Sequence, residues 1–194
     1  MDYNYPDGAT PLDPDEAEGL RLTHINTREQ LNVFEQKNIR KGVAWAFSGR
    51  KRDMLSEPFI RKLHKQMFGD VWKWAGTFRS SNKNIGVMRE QIGVELRHLC
   101  EDVRFWIEHQ TFEADEIATR FHHRLVFIHP FPNGNGRHAR VITDLLLKTE
   151  LGSARFSWGG GTLDGSSACR DRYIAALRAA DRDDFTLLRE FVRS

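Results

Sequence analysis

The residues best suited to chemistry stand together in one run, His129-Pro130-Phe131-Pro132-Asn133-Gly134-Asn135-Gly136-Arg137-His138-Ala139-Arg140. Gly134 and Gly136 let the backbone turn sharply and leave N–H groups facing outward where a following helix begins. Several such donors at the positive end of a helix dipole make an anion site. Arg137 and Arg140 are three apart and share one side of that helix's first turn, where both guanidiniums can fork onto phosphate oxygens. His129 precedes the cradle and can take a proton from an attacking hydroxyl. Asn135 offers an amide that can orient a phosphate oxygen or the loop itself. A base, an anion hole and two guanidiniums are the parts needed for in-line attack on a nucleotide phosphorus.

Such a loop needs two helices to hold it, and the apolar spacing supplies them. Ile117, Phe121 and Leu125 mark one, opened by Thr111 and Ala114. Pro130 and Pro132 stop it, because each lacks an N–H and restricts the residue before it. Ala139, Ile142 and Leu146 mark the other. Upstream, Thr27 with Gln30 reads as a capping box ahead of Leu31 and Phe34. Ser56 before Pro58 starts a helix carrying Phe59, Leu63 and Met67, and Ile92, Leu96, Leu99, Val103 and Ile107 mark a further one. Ser167 to Ala180 and Asp184 to Val192 complete the set. Thr77 to Val87 alone has strand character: two short extended pieces flank Ser80-Ser81-Asn82-Lys83-Asn84, as in a small hairpin. The pattern predicts an all-α bundle with one hairpin and one glycine-rich anion-binding loop between two core helices.

A chain of 194 residues fits one domain with a real core. Its 40% hydrophobic and 29% charged residues argue against disorder, and a net charge of +2 gives no reason to expect nucleic acid or a membrane surface. The basic stretch from Lys37 to Lys65 reads as a solvated face. No apolar run is long enough for a transmembrane helix, and the first twenty residues hold six acids and no Lys or Arg, unlike a secretory signal. Cys100 and Cys169 are too few for a disulfide framework and wrongly placed for zinc, so a reduced, cytoplasmic setting is expected. Residues 1–19 read as an acidic arm, its first sixteen or so residues extended, ahead of a single domain over 20–194.

The loop resembles the signature of the Fic family, His-Pro-Phe-x-(Asp/Glu)-Gly-Asn-Gly-Arg-x-x-Arg, and matches it everywhere except at Asn133. Residues 63–76 resemble the helix leading into the family's flap, and the hairpin would be the flap, which in relatives holds the target segment by strand-like pairing. Thr77, Phe78, Arg79, Ile85, Gly86 and Val87 are the docking residues this implies. Residues 172–177 and 181–185 resemble the closing helices, and the overall pattern is most similar to small bacterial Fic proteins of the group called mobile mystery protein B. The resemblance implies a Fic-type helical bundle and a protein adenylyltransferase (AMPylator). Such an enzyme moves AMP from ATP, with Mg2+ as cofactor, onto a Ser, Thr or Tyr hydroxyl of a target protein; a separate regulatory protein is a further expected partner. It implies a general base at His129 and a loop-holding core residue at Phe131. Gly134, Asn135 and Gly136 would form the anion hole, Arg137 and Arg140 would hold the outer phosphates, and Tyr173 would contact the adenine. Its catalytic residues are thus His129, Asn135 and Arg137.

Two departures matter. Asn133 stands where the family carries a magnesium-binding carboxylate; it keeps an oxygen but loses the charge that a hard cation prefers. A metal-dependent but slower or more selective enzyme is expected. Self-inhibited members carry Ser/Thr-x-x-x-Glu-Gly/Asn, and Glu18-Gly19 resembles its end although position 14 is Pro, which assigns Glu18 as an inhibitory partner of Arg140. A de-AMPylase, a transferase of another nucleotide, and a degenerate nucleotide-binding module without catalysis stay open. A Doc-like kinase is disfavoured by Gly136, where that branch has a bulkier residue. A metal enzyme built on His122, His123, His129 and His138 lacks a carboxylate or Cys at ligand spacing.

Overall fold

Short polar caps start the helices where the sequence places them. In the computed structural model, which describes residues 13–22, 24–25, 27–49, 52–161, 163 and 167–194, a single helical turn α1 (Pro14–Ala17) comes first. Thr27 Oγ1 then accepts from Gln30 N at 3.2 Å while Gln30 Oε1 accepts from Thr27 N at 3.4 Å, and this box opens α2 (Arg28–Ala46). Ser56 Oγ accepts from Phe59 N to open α3 (Glu57–Phe68). A 3-10 turn at Arg89–Gln91 leads into α4 (Ile92–Glu108). The pair α5 (Ala114–Ile128) and α6 (Asn135–Thr149) brackets the motif loop, and α7 (Ala168–Ala180) and α8 (Thr186–Arg193) close the chain.

Helix α6 is fixed from two sides. Ala139, Ile142 and Leu146 are sealed in a core with Ile60, Leu63, Phe68, Leu96, Phe121 and Leu125. Leu147 joins a second core with Phe156, Trp158, Tyr173, Leu188 and Phe191, to which α5 adds Ala118. Each fully buried Leu, Ile or Phe contributes about 1.5–3 kcal/mol, so the axis of α6, and with it the N-terminal end that carries the loop, is rigidly placed.

Two expectations change. The described part of the arm is helical rather than extended, because Glu16 accepts from Asp13 N at 2.8 Å and Pro14 suits a first helical turn; residues 1–12 lie outside the described residues. The expected hairpin has no strand among the described residues of 77–88. One side chain replaces the ladder: Arg79 donates to the Ser81 carbonyl at 2.8 Å and to the Val87 carbonyl, so the flap folds around a guanidinium. Behind it, Leu20 and Trp72 form an isolated antiparallel bridge. No helix among the described residues is long and apolar enough to cross a membrane.

Candidate active site

The loop is shaped by residues that must give up other options. Gly134, the N-cap of α6, has φ +80°, and a Cβ there would lie 2.6 Å from the Phe68 ring, so angle and space both demand glycine. Asn135 Oδ1 accepts from Phe131 N at 2.9 Å and its Nδ2 donates to Phe131 O at 2.8 Å. Its amide is therefore engaged by the loop, which is the second of the two roles the sequence allows. The first helical bond runs from His138 N to Gly134 O, so the N–H groups of Asn135, Gly136 and Arg137 lie ahead of it at the open helix end. Among the described residues outside its own helix backbone, a Cβ on Gly136 would come closest to Arg140 Nη1 at 3.8 Å and the Tyr173 hydroxyl at 4.0 Å, so this face of the helix end is open.

Beneath the loop lies a buried histidine the sequence reading did not single out. The Phe131 ring stacks on His64 at 3.7 Å. Gly76 N donates to His64 Nδ1 at 3.0 Å, so the ring proton is on Nε2, which donates to the Asn133 carbonyl at 3.0 Å. Burial, and then the proximity of His138, hold the His64 pKa well below its ordinary value, so it stays a neutral two-way tie between the start of the flap and the loop. His138 ties the same loop to α3 through the Ile60 carbonyl at 3.0 Å and is pushed down to about 4 by burial.

The two motif arginines stand on different supports. Arg137 Nη1 pairs with Glu35 of α2, and its Nη2 donates to Asn133 Oδ1 at 3.2 Å. Glu35 is 6% exposed and its second oxygen accepts from Trp72 Nε1 at 2.7 Å. The Arg140 guanidinium lies 5.9 Å from the centre of the Tyr173 ring. Tyr173, expected on the adenine, is buried against Phe191 with its hydroxyl 2.8 Å from His122 Nε2. Arg137 and Arg140, with Gln36, Arg40, Asp144 and Trp158, line a cavity of about 360 Å³. Burial pushes the Asp144 carboxyl up to about 6, against the hydrogen bonds it accepts from Trp158 Nε1 and Phe156 N.

His129 caps α5 in the left-handed conformation, φ +53° and ψ +58°, which costs a non-glycine residue about 1 kcal/mol and turns the side chain out of the helix path. Burial first, and the Arg79 charge second, push its pKa down to about 4, so the imidazole is neutral and able to accept a proton at neutral pH. The flap covers it, since a Cβ on Gly86 would lie 2.7 Å from His129 Cβ. Of the expected docking residues, Thr77, Ile85 and Gly86 are exposed, Phe78 and Val87 half-buried, and Arg79 buried. The flap is itself strapped by the arm: Lys83 pairs with Asp13 at 2.8 Å and Glu16 at 2.6 Å.

That strap places Glu18 at the exposed end of α1, where it makes no ion pair among the described residues; Glu35 is a carboxylate brought to the motif arginine Arg137. Asn133 Oδ1 is turned into its own loop, accepting from Gly134 N at 2.7 Å as well as from Arg137. A neutral oxygen already shared by two donors does not fit a magnesium ligand. Among the described residues no cluster of three or more His, Cys, Asp or Glu could hold a metal ion. His122, His123 and His138 are engaged separately, by Tyr173, Asp181 and Ile60.

Fold and site together define a helical protein that presents an open, arginine-flanked helix N-terminus next in the chain to a neutral, flap-covered imidazole. Residues 54–147 match the model of the Fic/DOC family, and the chain belongs to that family. It is 26% identical to protein adenylyltransferase fic-1 of Caenorhabditis elegans over 90% of this chain, spanning a third (33%) of that protein's length. It is also 26% identical to the probable protein adenylyltransferase y4lH of Sinorhizobium fredii, over 88% of this chain and 91% of that protein. Among solved structures, the BepC protein of Bartonella tribocorum with bound AMPPNP shares the fold, at TM-score 0.71 and 15% identity, over 93% of this chain and 97% of that one.

Proposed function

We propose that this chain transfers AMP from ATP to a hydroxyl side chain of a protein. The observation that carries the reading is the neutral His129 beside the open N-terminal end of α6, with Arg137 and Arg140 leading from that end into one cavity. The names of the worm and Sinorhizobium relatives, both adenylyltransferases, support it. The outer phosphates lie against Arg137 and Arg140, and the helix-end N–H groups of α6 take the charge that develops at the α-phosphate. The target oxygen attacks the α-phosphorus as His129 takes its proton, the bond to the bridging oxygen breaks, and pyrophosphate leaves. Magnesium would enter as part of the MgATP substrate, and Asn133 would bring no negative charge to it. The flap aligns the target segment along Thr77, Ile85 and Gly86 over the base.

Glu35 is assigned the regulatory part: it occupies Arg137 until phosphate displaces it. Incubation with α-labelled and with γ-labelled ATP in a cell lysate tests the reaction. Label from the α-position only, lost in His129→Ala while ATP still binds, is the expected result. Transfer of γ-label would make the chain a kinase, and full transfer by His129→Ala would remove the base from the scheme.

A further inference from the structure

We propose that Arg79 is a positioning residue for His129: one buried guanidinium ties both limbs of the flap to the backbone of the base and so sets where the imidazole stands. Arg79 is 3% exposed. Its Nε donates to the His129 carbonyl at 2.8 Å, its Nη1 to the Ser81 carbonyl at 2.8 Å and its Nη2 to the Val87 carbonyl. Its own N–H donates to the Pro130 carbonyl at 2.9 Å. Three chain segments, one on each side of the flap tip and one in the motif, thus converge on a single planar fork. Only a guanidinium offers donors in that many fixed directions; an ammonium is a point charge.

The arrangement acts on His129 in two ways, and the inference rests on reading that residue as the base. The first is geometric. Residue 129 is held in a left-handed conformation that it leaves at a gain unless its carbonyl is fixed, and the fixed donor is Arg79 Nε. The fit against residue 129 is close, because a Cβ on Gly86 would meet His129 Cβ at 2.7 Å and Arg79 Nη2 at 3.0 Å, at a φ of +99°. The second is electrostatic. Among the described residues the three hydrogen-bond partners of the Arg79 side chain are backbone carbonyls, and the carboxylates that act on its charge, Glu90 and Glu16, do so without a hydrogen bond to it. The other cation facing the ring, Lys83, is paired with Asp13 and Glu16, and from the ring's own helix a backbone hydrogen bond at Val126 favours the protonated form. The Arg79 charge, on which Glu90 and Glu16 act from farther away, works the other way and adds to burial, the larger cause, in holding the imidazole neutral.

The test compares the full chain with Arg79→Met, Arg79→Lys and Gly86→Ala. The readouts are circular dichroism, ATP affinity by calorimetry, the transfer rate at saturating α-labelled ATP, and the His129 ring titration followed by NMR. Positioning predicts that all three variants bind ATP within about twofold of the parent while the saturated rate falls at least about tenfold, because only the attack step loses its geometry. Arg79→Met should raise the ring pKa by about half a unit or more, whereas Arg79→Lys, which keeps a charge, should move it much less. Saturated rates within about twofold of the parent in Arg79→Lys and Gly86→Ala, or losses matched by equal losses of ATP affinity, would overturn the proposal. If Arg79→Met does not fold, those two variants decide the matter. A parent chain that transfers no label sinks the functional reading alone, since the ring titration needs no turnover and still tests what Arg79 does to His129.

Discussion

Replacing Glu35 with Gln tests whether the pair at the mouth of the cavity restrains the nucleotide. Glu35 and Arg137 are joined by a charged hydrogen bond, with 8% of the carboxylate side chain and 27% of the guanidinium side chain exposed. Two unit charges at about 4 Å attract by about 4 kcal/mol at an effective dielectric near 20, but desolvation offsets most of that. Hydrogen bonds to charged groups net about 1.5–3 kcal/mol, and the partly exposed guanidinium belongs at the lower end. Gln keeps an oxygen that accepts from Trp72 Nε1 and loses the one that accepts from Arg137, so shape is conserved and stability should fall by about the 1.5 kcal/mol the pair contributes. Arg137 is then free for phosphate, and about 1.5 kcal/mol less competition corresponds to a roughly tenfold lower Kd for ATP. Calorimetric titration with ATP reads the affinity directly, and α-label incorporation at low ATP should rise with it. Glu18→Gln, at an exposed position on α1, is the comparison and should change neither. An unaltered ATP affinity in Glu35→Gln would refute the reasoning, because Arg137 would then meet phosphate without leaving its partner.

Other outcomes follow from the same geometry. The buried histidines His64, His122, His129 and His138 all have lowered pKa values, to about 3 for His122 and about 4 for His129 and His138, with burial the leading cause in each. The unfolded chain binds these four protons below its ordinary value of 6.5, while Asp144, raised to about 6, binds one in the folded state. Stability is therefore present above 6.5 and lost on acidification, by about 4 kcal/mol per pH unit between 6 and 4, which thermal melts across that range will show. Gly134→Ala meets both a left-handed φ and the Phe68 ring, and should cost about 2–4 kcal/mol in a denaturant titration; a loss below 0.5 kcal/mol would mean the loop relaxes freely. Asn133→Asp restores a carboxylate beside the phosphate site and should lower the magnesium concentration needed for half-maximal transfer; an unchanged requirement would place the metal away from residue 133.

Much of this molecule was legible in its residues. Capping pairs such as Thr27 with Gln30, helix stops such as Pro130, and the spacing of Phe121, Leu125, Ile142 and Leu146 are local signals. They act over one or two turns, so the sequence alone determined the helices and the loop between α5 and α6. The run from His129 to Arg140 likewise announced base, cradle and guanidiniums, because one short segment holds them all. What only tertiary structure decided are the partners of that segment. Glu35 reaches Arg137 across 102 positions, His64 reaches the Asn133 carbonyl across 69, and Arg79 reaches the His129 carbonyl across 50. The flap misled for the same reason: its extended pieces suggest a ladder, but a buried Arg79 supplies its hydrogen bonds from within and from the motif. Burial completes the account, since an imidazole becomes a neutral base by losing water, and water is excluded by neighbours that arrive from distant parts of the chain.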